Sequence, residues 1–141
     1  MRKITDIQEL RQIQMGILDH VHHFCEAHNL RYFLSSGTLI GAVRHKGYIP
    51  WDDDIDIYMP RKDYEQFLQI YHDENGRYKA IDPQRNSHYY YTFAKVVDLR
   101  TKMVEDETDG YEIGVFMDIF PVDYVTDDLQ ERERIFKKKK L

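Results

Sequence analysis

The chain has 141 residues, 42% of them hydrophobic and 32% charged, which fits one folded domain that buries roughly 68–70% of its unfolded surface. One cysteine, Cys25, excludes an intramolecular disulfide and a cysteine-based zinc site, and no run of ~18 apolar residues spans a membrane. A net charge of −5 disfavours binding along a phosphate backbone, so nucleic acid is not the expected partner.

The N-terminus turns polar after Ile4 and carries no apolar signal core, so a cytoplasmic protein is expected. Charge is unevenly spread. Ten acidic residues and no Lys or Arg lie in 103–131, while Arg44, Lys46, Lys95, Arg100 and the block 137–140 hold bases elsewhere. Acid clusters beside isolated bases suit a metal-bound small anion better than a long polyanion.

The first predicted element is a helix. Ile7, Leu10, Ile13, Ile17, Leu18, Val21, Phe24 and Cys25 recur with the 3.6-residue period of one buried face. Asp6 and Glu9 have capping-box spacing, and Asn29 marks a stop. His20, His22, His23 and His28 on this helix read as a solvated flank rather than a metal site. A short aromatic strand follows over 32–35, broken by Ser36-Gly37-Thr38, and 39–43 reads as a short helix entered through that break. Gly47 and Pro50 mark a loop.

Residues 54–58 alternate with period two and predict a strand. Pro60 ends it and opens a helix carrying Tyr64, Phe67, Leu68 and Tyr71. Strands are expected over 78–81, 92–98 and 102–105, and a last one over 115–120, stopped by Pro121. Thr126 or Asp127 then caps a helix with acids first and bases last, as its dipole favours. The fold class is α+β, a mixed or antiparallel sheet with helices packed on it. The absence of repeats or linkers makes 1–141 a single domain.

The chemistry concentrates at 52–56. Residues two apart on a strand share a face, so Asp52, Asp54 and Asp56 point together if the strand extends back that far. Carboxylates so placed repel unless cations intervene, and magnesium is the natural cation because it takes one or two carboxylates plus substrate phosphates. The competing reading is a solvated acidic edge; Ile49, Trp51, Ile55 and Ile57 make this strand half-buried instead. An EF-hand loop starting at Asp52 fails because Ile57 stands where the turn glycine belongs. Gly37 and Thr38, between a strand and a helix, suit close approach of a phosphate. Asp118 is a lone carboxylate in an apolar strand, costly unless paired or metal-bound. Asp98 and Asp123 are weaker candidates beside turns. Arg44 and Lys95 are the bases best placed to offset phosphate charge.

A Gly-Ser/Thr turn followed by an acidic strand resembles the nucleotidyltransferase (polymerase β-like) superfamily. The longer block GTLIGAVRHKGYIPWDDDIDI, with Phe93-Ala94-Lys95 and the run from Asp118 to Pro121, resembles the LicD family of phosphocholine transferases and the fukutin-related transferases. The resemblance implies a nucleotidyltransferase-like fold and a magnesium-dependent transferase. Such an enzyme moves a phospho-alcohol, phosphocholine first, from CDP-choline or a related CDP-alcohol to a hydroxyl of a cell-surface glycan. Lipopolysaccharide or teichoic acid would be that glycan.

By the same resemblance Asp54, Asp56 and Asp118 hold metal and are catalytic, with Asp52 as a supporting ligand. Gly37 and Thr38 bind donor phosphates, and Arg44 and Lys95 stabilise charge. Family members are commonly longer, with a helical second half, so 1–141 can be the N-terminal part of a longer protein, working in the cytoplasm or at the inner membrane face. Two alternatives stay open: nucleotidyl transfer from an NTP, and a catalytically silent binding domain.

Overall fold

The computed structural model describes residues 2–86, 89, 91–103 and 113–139. Its first helix, α1 (Ile7–Ala27), buries Ile17, Val21, Phe24 and Cys25, the stripe predicted by the periodicity. Asp6 caps it by accepting the Gln8 amide at 2.9 Å. The reciprocal half of the capping box does not form, because Glu9 pairs with the Arg2 guanidinium instead. Asn29 turns the chain in the left-handed region at φ 57°.

The remaining elements run β1 (Phe33–Leu34), α2 (Ser36–Arg44), β2 (Asp56–Pro60), α3 (Arg61–Ile70), β3 (Tyr78–Ile81), β4 (Ala94–Asp98), β5 (Phe116–Val122) and α4 (Leu129–Lys139). The strands form one sheet in the order β1-β2-β5-β4-β3. The β2–β5 pair is parallel and the others are antiparallel, so the α+β mixed sheet is observed. Helices α1 and α3 cover one face, burying Ile57, Met59, Phe67, Val96, Met117 and Ile119 completely. The opposite face carries Asp56, Tyr58, Lys95, Asp118 and Phe120, and beside them Ile81, Val97 and Phe116 of a second, smaller apolar cluster on which Tyr91 packs.

Several boundaries differ from those expected. Helix α2 starts at Ser36, so Gly37 and Thr38 lie in its first turn and not in a break before it. Strand β2 starts at Asp56, so Asp52 and Asp54 belong to the preceding loop. Pro121 does not stop β5. The Asp118 amide donates to Ile55 O on the β2 side, so by alternation the nitrogen of Pro121 faces β4. That strand has already ended opposite Ile119, and the missing N–H costs no ladder bond. Asp128, not Thr126 or Asp127, caps α4, accepting the amides of Gln130 and Glu131. Of the strand expected over 102–105, Met103 pairs with Ile113; 104 and 105 lie outside the described residues.

The histidines of α1 are absorbed locally. His20 Nδ1 bonds the Tyr71 hydroxyl at 2.8 Å, His22 Nδ1 that of Tyr32 at 2.8 Å, and His23 and His28 bond helix carbonyls. Asp98, fully buried, is held by the Arg77 guanidinium at 2.9 Å. Asp123 is gripped by Arg61 at 2.7 and 3.0 Å. Both carboxylates tie elements together. No helix among the described residues is long and apolar enough to cross a membrane.

Candidate active site

Three central strands each contribute one polar residue to a single row. Asp56 of β2 is the register partner of Asp118 of β5, which in turn faces Lys95 of β4. Paired strands lie about 4.8 Å apart, so the three side chains leave the sheet side by side. Their neighbours Ile55, Ile57, Met117, Ile119 and Val96 point into the core. A slip of one residue would exchange the two sets, which locks the register.

Lys95 is 3% exposed, and its ammonium donates to Asp118 Oδ1 at 2.6 Å. The same ammonium lies 3.6 Å from the Phe116 ring centroid, 4.5 Å from that of Tyr91 and 5.3 Å from that of Phe93. Aromatic faces thus take the place of water on a charge that would otherwise be expensive to bury.

One lysine does not balance the carboxylates. Burial, then repulsion from Asp118 and Asp54, pushes the Asp56 carboxyl up to about 6. Asp54 is raised by burial and by Asp53, Asp52 and Asp118. Asp118 is raised by burial, against the pull of Lys95. Carboxylate oxygens of Asp52, Asp53 and Asp54 also lie within 4.8 Å of one another. Crowded hard oxygen donors whose negative charge is under-compensated fit a divalent cation of the magnesium type.

Asp54 stands on the loop near this row, not on the strand, and among the described residues the carboxylates it groups with most closely are Asp52 and Asp53 rather than Asp56 and Asp118. Asp52 Oδ1 accepts the Asp54 amide at 3.2 Å, folding 52–54 into a turn. Helix α1 anchors that turn through two residues with no place in the sequence reading. The Arg11 guanidinium donates to the carbonyls of Ile49 at 3.2 Å, Pro50 at 3.0 Å and Asp52 at 2.6 Å. It also stacks 4.7 Å from the Tyr48 ring centroid. Gln14, buried, donates to Asp53 O at 2.6 Å and accepts from the Tyr48 hydroxyl at 2.9 Å. The available signal was a polar Gln14 inside the apolar stripe of the helix.

The start of α2 clamps Asp56 from the other side. Thr38 Oγ1 accepts the Asp56 amide at 2.9 Å, and the Ser35 amide donates to Asp56 O at 3.1 Å. The Ser35 hydroxyl is buried with no hydrogen-bond partner among the described residues, an open polar group beside the row. A Cβ on Gly37 would stand 2.6 Å from Asp52 Oδ2, so glycine here admits a carboxylate against the helix. Gly41 does the same for the loop backbone, since its Cβ would meet Gly47 O at 2.4 Å.

Arg44 stands apart from the cluster formed by Gly37, Thr38, Asp52, Asp54, Asp56, Lys95 and Asp118. It ends α2, exposed, with Nε donating to His45 Nε2 at 3.0 Å. Six residues of helix put it about 9 Å along the axis from Thr38. A cleft of about 380 Å³ between α1 and α2 is bordered by Gly37, Thr38, Asp52 and Ile55. A larger one, about 830 Å³, lies beside the N-terminal segment and touches the acidic loop through Asp53 alone.

Residues 29–141 match the family described as LicD/FKTN/FKRP, nucleotidyltransferase domain. The chain belongs to this family. It is 39% identical over 130 residues to lipopolysaccharide cholinephosphotransferase LicD of Haemophilus influenzae, covering 91% of this chain and 48% of that protein. Ribitol 5-phosphate transferase FKRP of mouse and of human are each 41% identical over 51 residues, 36% of this chain and 9% of theirs. The chain therefore spans about half the length of the LicD relative. Every member of the carboxylate row lies inside the residues matched to the LicD/FKTN/FKRP family, whereas Arg11 and Gln14 come from the helix before them.

Proposed function

We propose that this LicD-family chain is a single domain carrying the active site of a phospho-alcohol transferase. It moves phosphocholine from CDP-choline, or a related group from another CDP-alcohol, to a hydroxyl of a surface glycan such as lipopolysaccharide. The observation that carries the reading is the Asp56–Asp118–Lys95 row, with Asp54 beside it, in a chain so similar to a cholinephosphotransferase.

Asp54, Asp56 and Asp118 would hold magnesium, with Asp52 supporting the turn. When bound, the cation supplies positive charge to the phosphate oxygens and the departing phosphate. The chain's own residues do the rest. Thr38 and Ser35 fix the Asp56 backbone so that its carboxylate does not swing away, and Lys95 keeps Asp118 in the row. The acceptor oxygen attacks the phosphorus bearing the alcohol. The bond from that phosphorus to the bridging oxygen breaks and CMP leaves with the electron pair. A carboxylate of the row takes the hydroxyl proton. Gly37 and Thr38 flank the donor side of the row, whereas Arg44, exposed at the far end of α2, stands away from it.

The test is incubation with CDP-choline or with ATP, each with magnesium and a glycan acceptor, scoring CMP against pyrophosphate. CMP formed with transfer of choline phosphate is expected. Pyrophosphate from ATP, with no CMP, would make the protein a nucleotidyltransferase.

A further inference from the structure

The row next to the carboxylates is aromatic. Two residues along each strand, Tyr58 of β2 and Phe120 of β5 are register partners on the same face as Asp56 and Asp118. Their ring centroids are 6.2 Å apart at an interplanar angle of 69°. Phe93, two residues before Lys95, extends the row, with its centroid 4.4 Å from that of Phe120. Tyr58 is 38% exposed, and Phe93 and Phe120 are half-buried. An aromatic row on a half-open sheet face is out of place unless something covers it.

Resting on the phospho-alcohol reading above, we infer that Tyr58, Phe120 and Phe93 form the subsite for a quaternary ammonium group at the far end of the transferred alcohol. Three observations favour an ammonium occupant over a stacked base. The same aromatic group already accommodates one ammonium, that of Lys95, 5.3 Å from the Phe93 centroid. Tyr58 and Phe120 stand at 69° to one another, with Phe93 packed behind Phe120, so they offer a corner to a sphere and no flat slot to a plane. The neighbouring carboxylates add a field that attracts a cation. The spacing also fits: one strand repeat of two residues is about 6.6 Å, within reach of a two-carbon arm carrying nitrogen away from a phosphorus held at the carboxylates. Cation–π contact with desolvated rings then separates a charged head from a neutral one of equal size.

The experiment measures binding of phosphocholine, of its neutral isostere with tert-butyl in place of trimethylammonium, and of CMP. Each is titrated calorimetrically with magnesium into the full chain and into Tyr58→Leu, Phe120→Leu and the conservative Tyr58→Phe. Wild type is expected to prefer phosphocholine over the isostere by about tenfold. Either leucine variant should erase that preference while leaving CMP and isostere affinities within about twofold, and Tyr58→Phe should keep it. Equal binding of the two esters by wild type, or a preference that survives both leucine variants, overturns the subsite alone. Loss of CMP binding in the leucine variants would assign the rings to the base instead. If no phosphate ester binds at all, the phospho-alcohol reading and the subsite fail together.

Discussion

Asp56 sits at the centre of the site's contacts: it is the register partner of Asp118 on β5, and its backbone is held by the Thr38 hydroxyl and the Ser35 amide. Asp56→Asn or Asp54→Asn should leave the fold intact and remove at least ~10²-fold of transferase activity, read from CMP release, because each deletes a charge from an electrostatic site. Turnover near wild type in either variant would take that residue out of the mechanism. The same substitution has an opposite effect on stability. In metal-free protein the folded Asp56 carboxyl titrates at about 6, above the ordinary value of about 3.9. The folded state therefore holds the proton more tightly. This contribution to stability is fully present below about pH 4 and is lost as pH rises through about 6. Asp56→Asn should stabilise the metal-free protein at pH 7 by on the order of 1 kcal/mol, after allowing for solvent screening. The gain should vanish near pH 4, and chemical denaturation at the two pH values measures it. Asp63 and Asp73, both held low despite burial by hydrogen bonds from backbone amides, act with the opposite sign in both proteins and cancel in the comparison. Gly37→Val should displace the Asp52 carboxylate it would overlap and weaken metal and donor binding by roughly 10-fold or more. A lowered Tm with unchanged nucleotide affinity would leave Gly37 as a turn residue only.

The elements explain how a loop can hold aligned carboxylates. Residues 49–54 have no ladder of their own, and α1 supplies their hydrogen-bond partners through Arg11 and Gln14. Arg11→Met keeps the stem over Tyr48 but removes the guanidinium, and it should cost roughly 10–100-fold in metal affinity by releasing the turn. Circular dichroism should show the helix retained; unchanged metal affinity would mean the loop holds itself. Much of the secondary structure was legible in advance. The apolar period of α1, the alternation into Tyr58 and the hinge at Pro60 are local patterns set by burial of one face. The Arg11 clamp was not legible, because an exposed-looking cation on a helix does not announce that it caps carbonyls some forty residues later. The start of β2 was misplaced for a related reason. Asp54 continues the alternating pattern, but it sits outside the strand because Asp52 folds back on its amide.

The molecule as a whole joins parts that are far apart in the chain. The parallel pairing of β2 with β5 sets Asp56 beside Asp118, and the antiparallel return of β4 sets Lys95 on the other side of Asp118. Pairing of that range follows from the packing of α1 and α3 on the far face of the sheet and from no local signal, so strand order could not be read from composition. The aspartates themselves could be read, since isolated carboxylates among Ile, Met and Phe are intelligible only with a partner. The role expected of Lys95 changes in emphasis: its ammonium is already committed to Asp118 and to aromatic faces, so it steadies the row from within. A crystal of the protein soaked with magnesium and CDP-choline puts the arrangement to the test. Metal density is expected at about 2.0–2.1 Å from oxygens of Asp54, Asp56 and Asp118, with the choline-bearing phosphate against the same row. Metal bound elsewhere with Asp118 still closed on Lys95, or donor phosphates in the cleft beside the N-terminal segment, would contradict it.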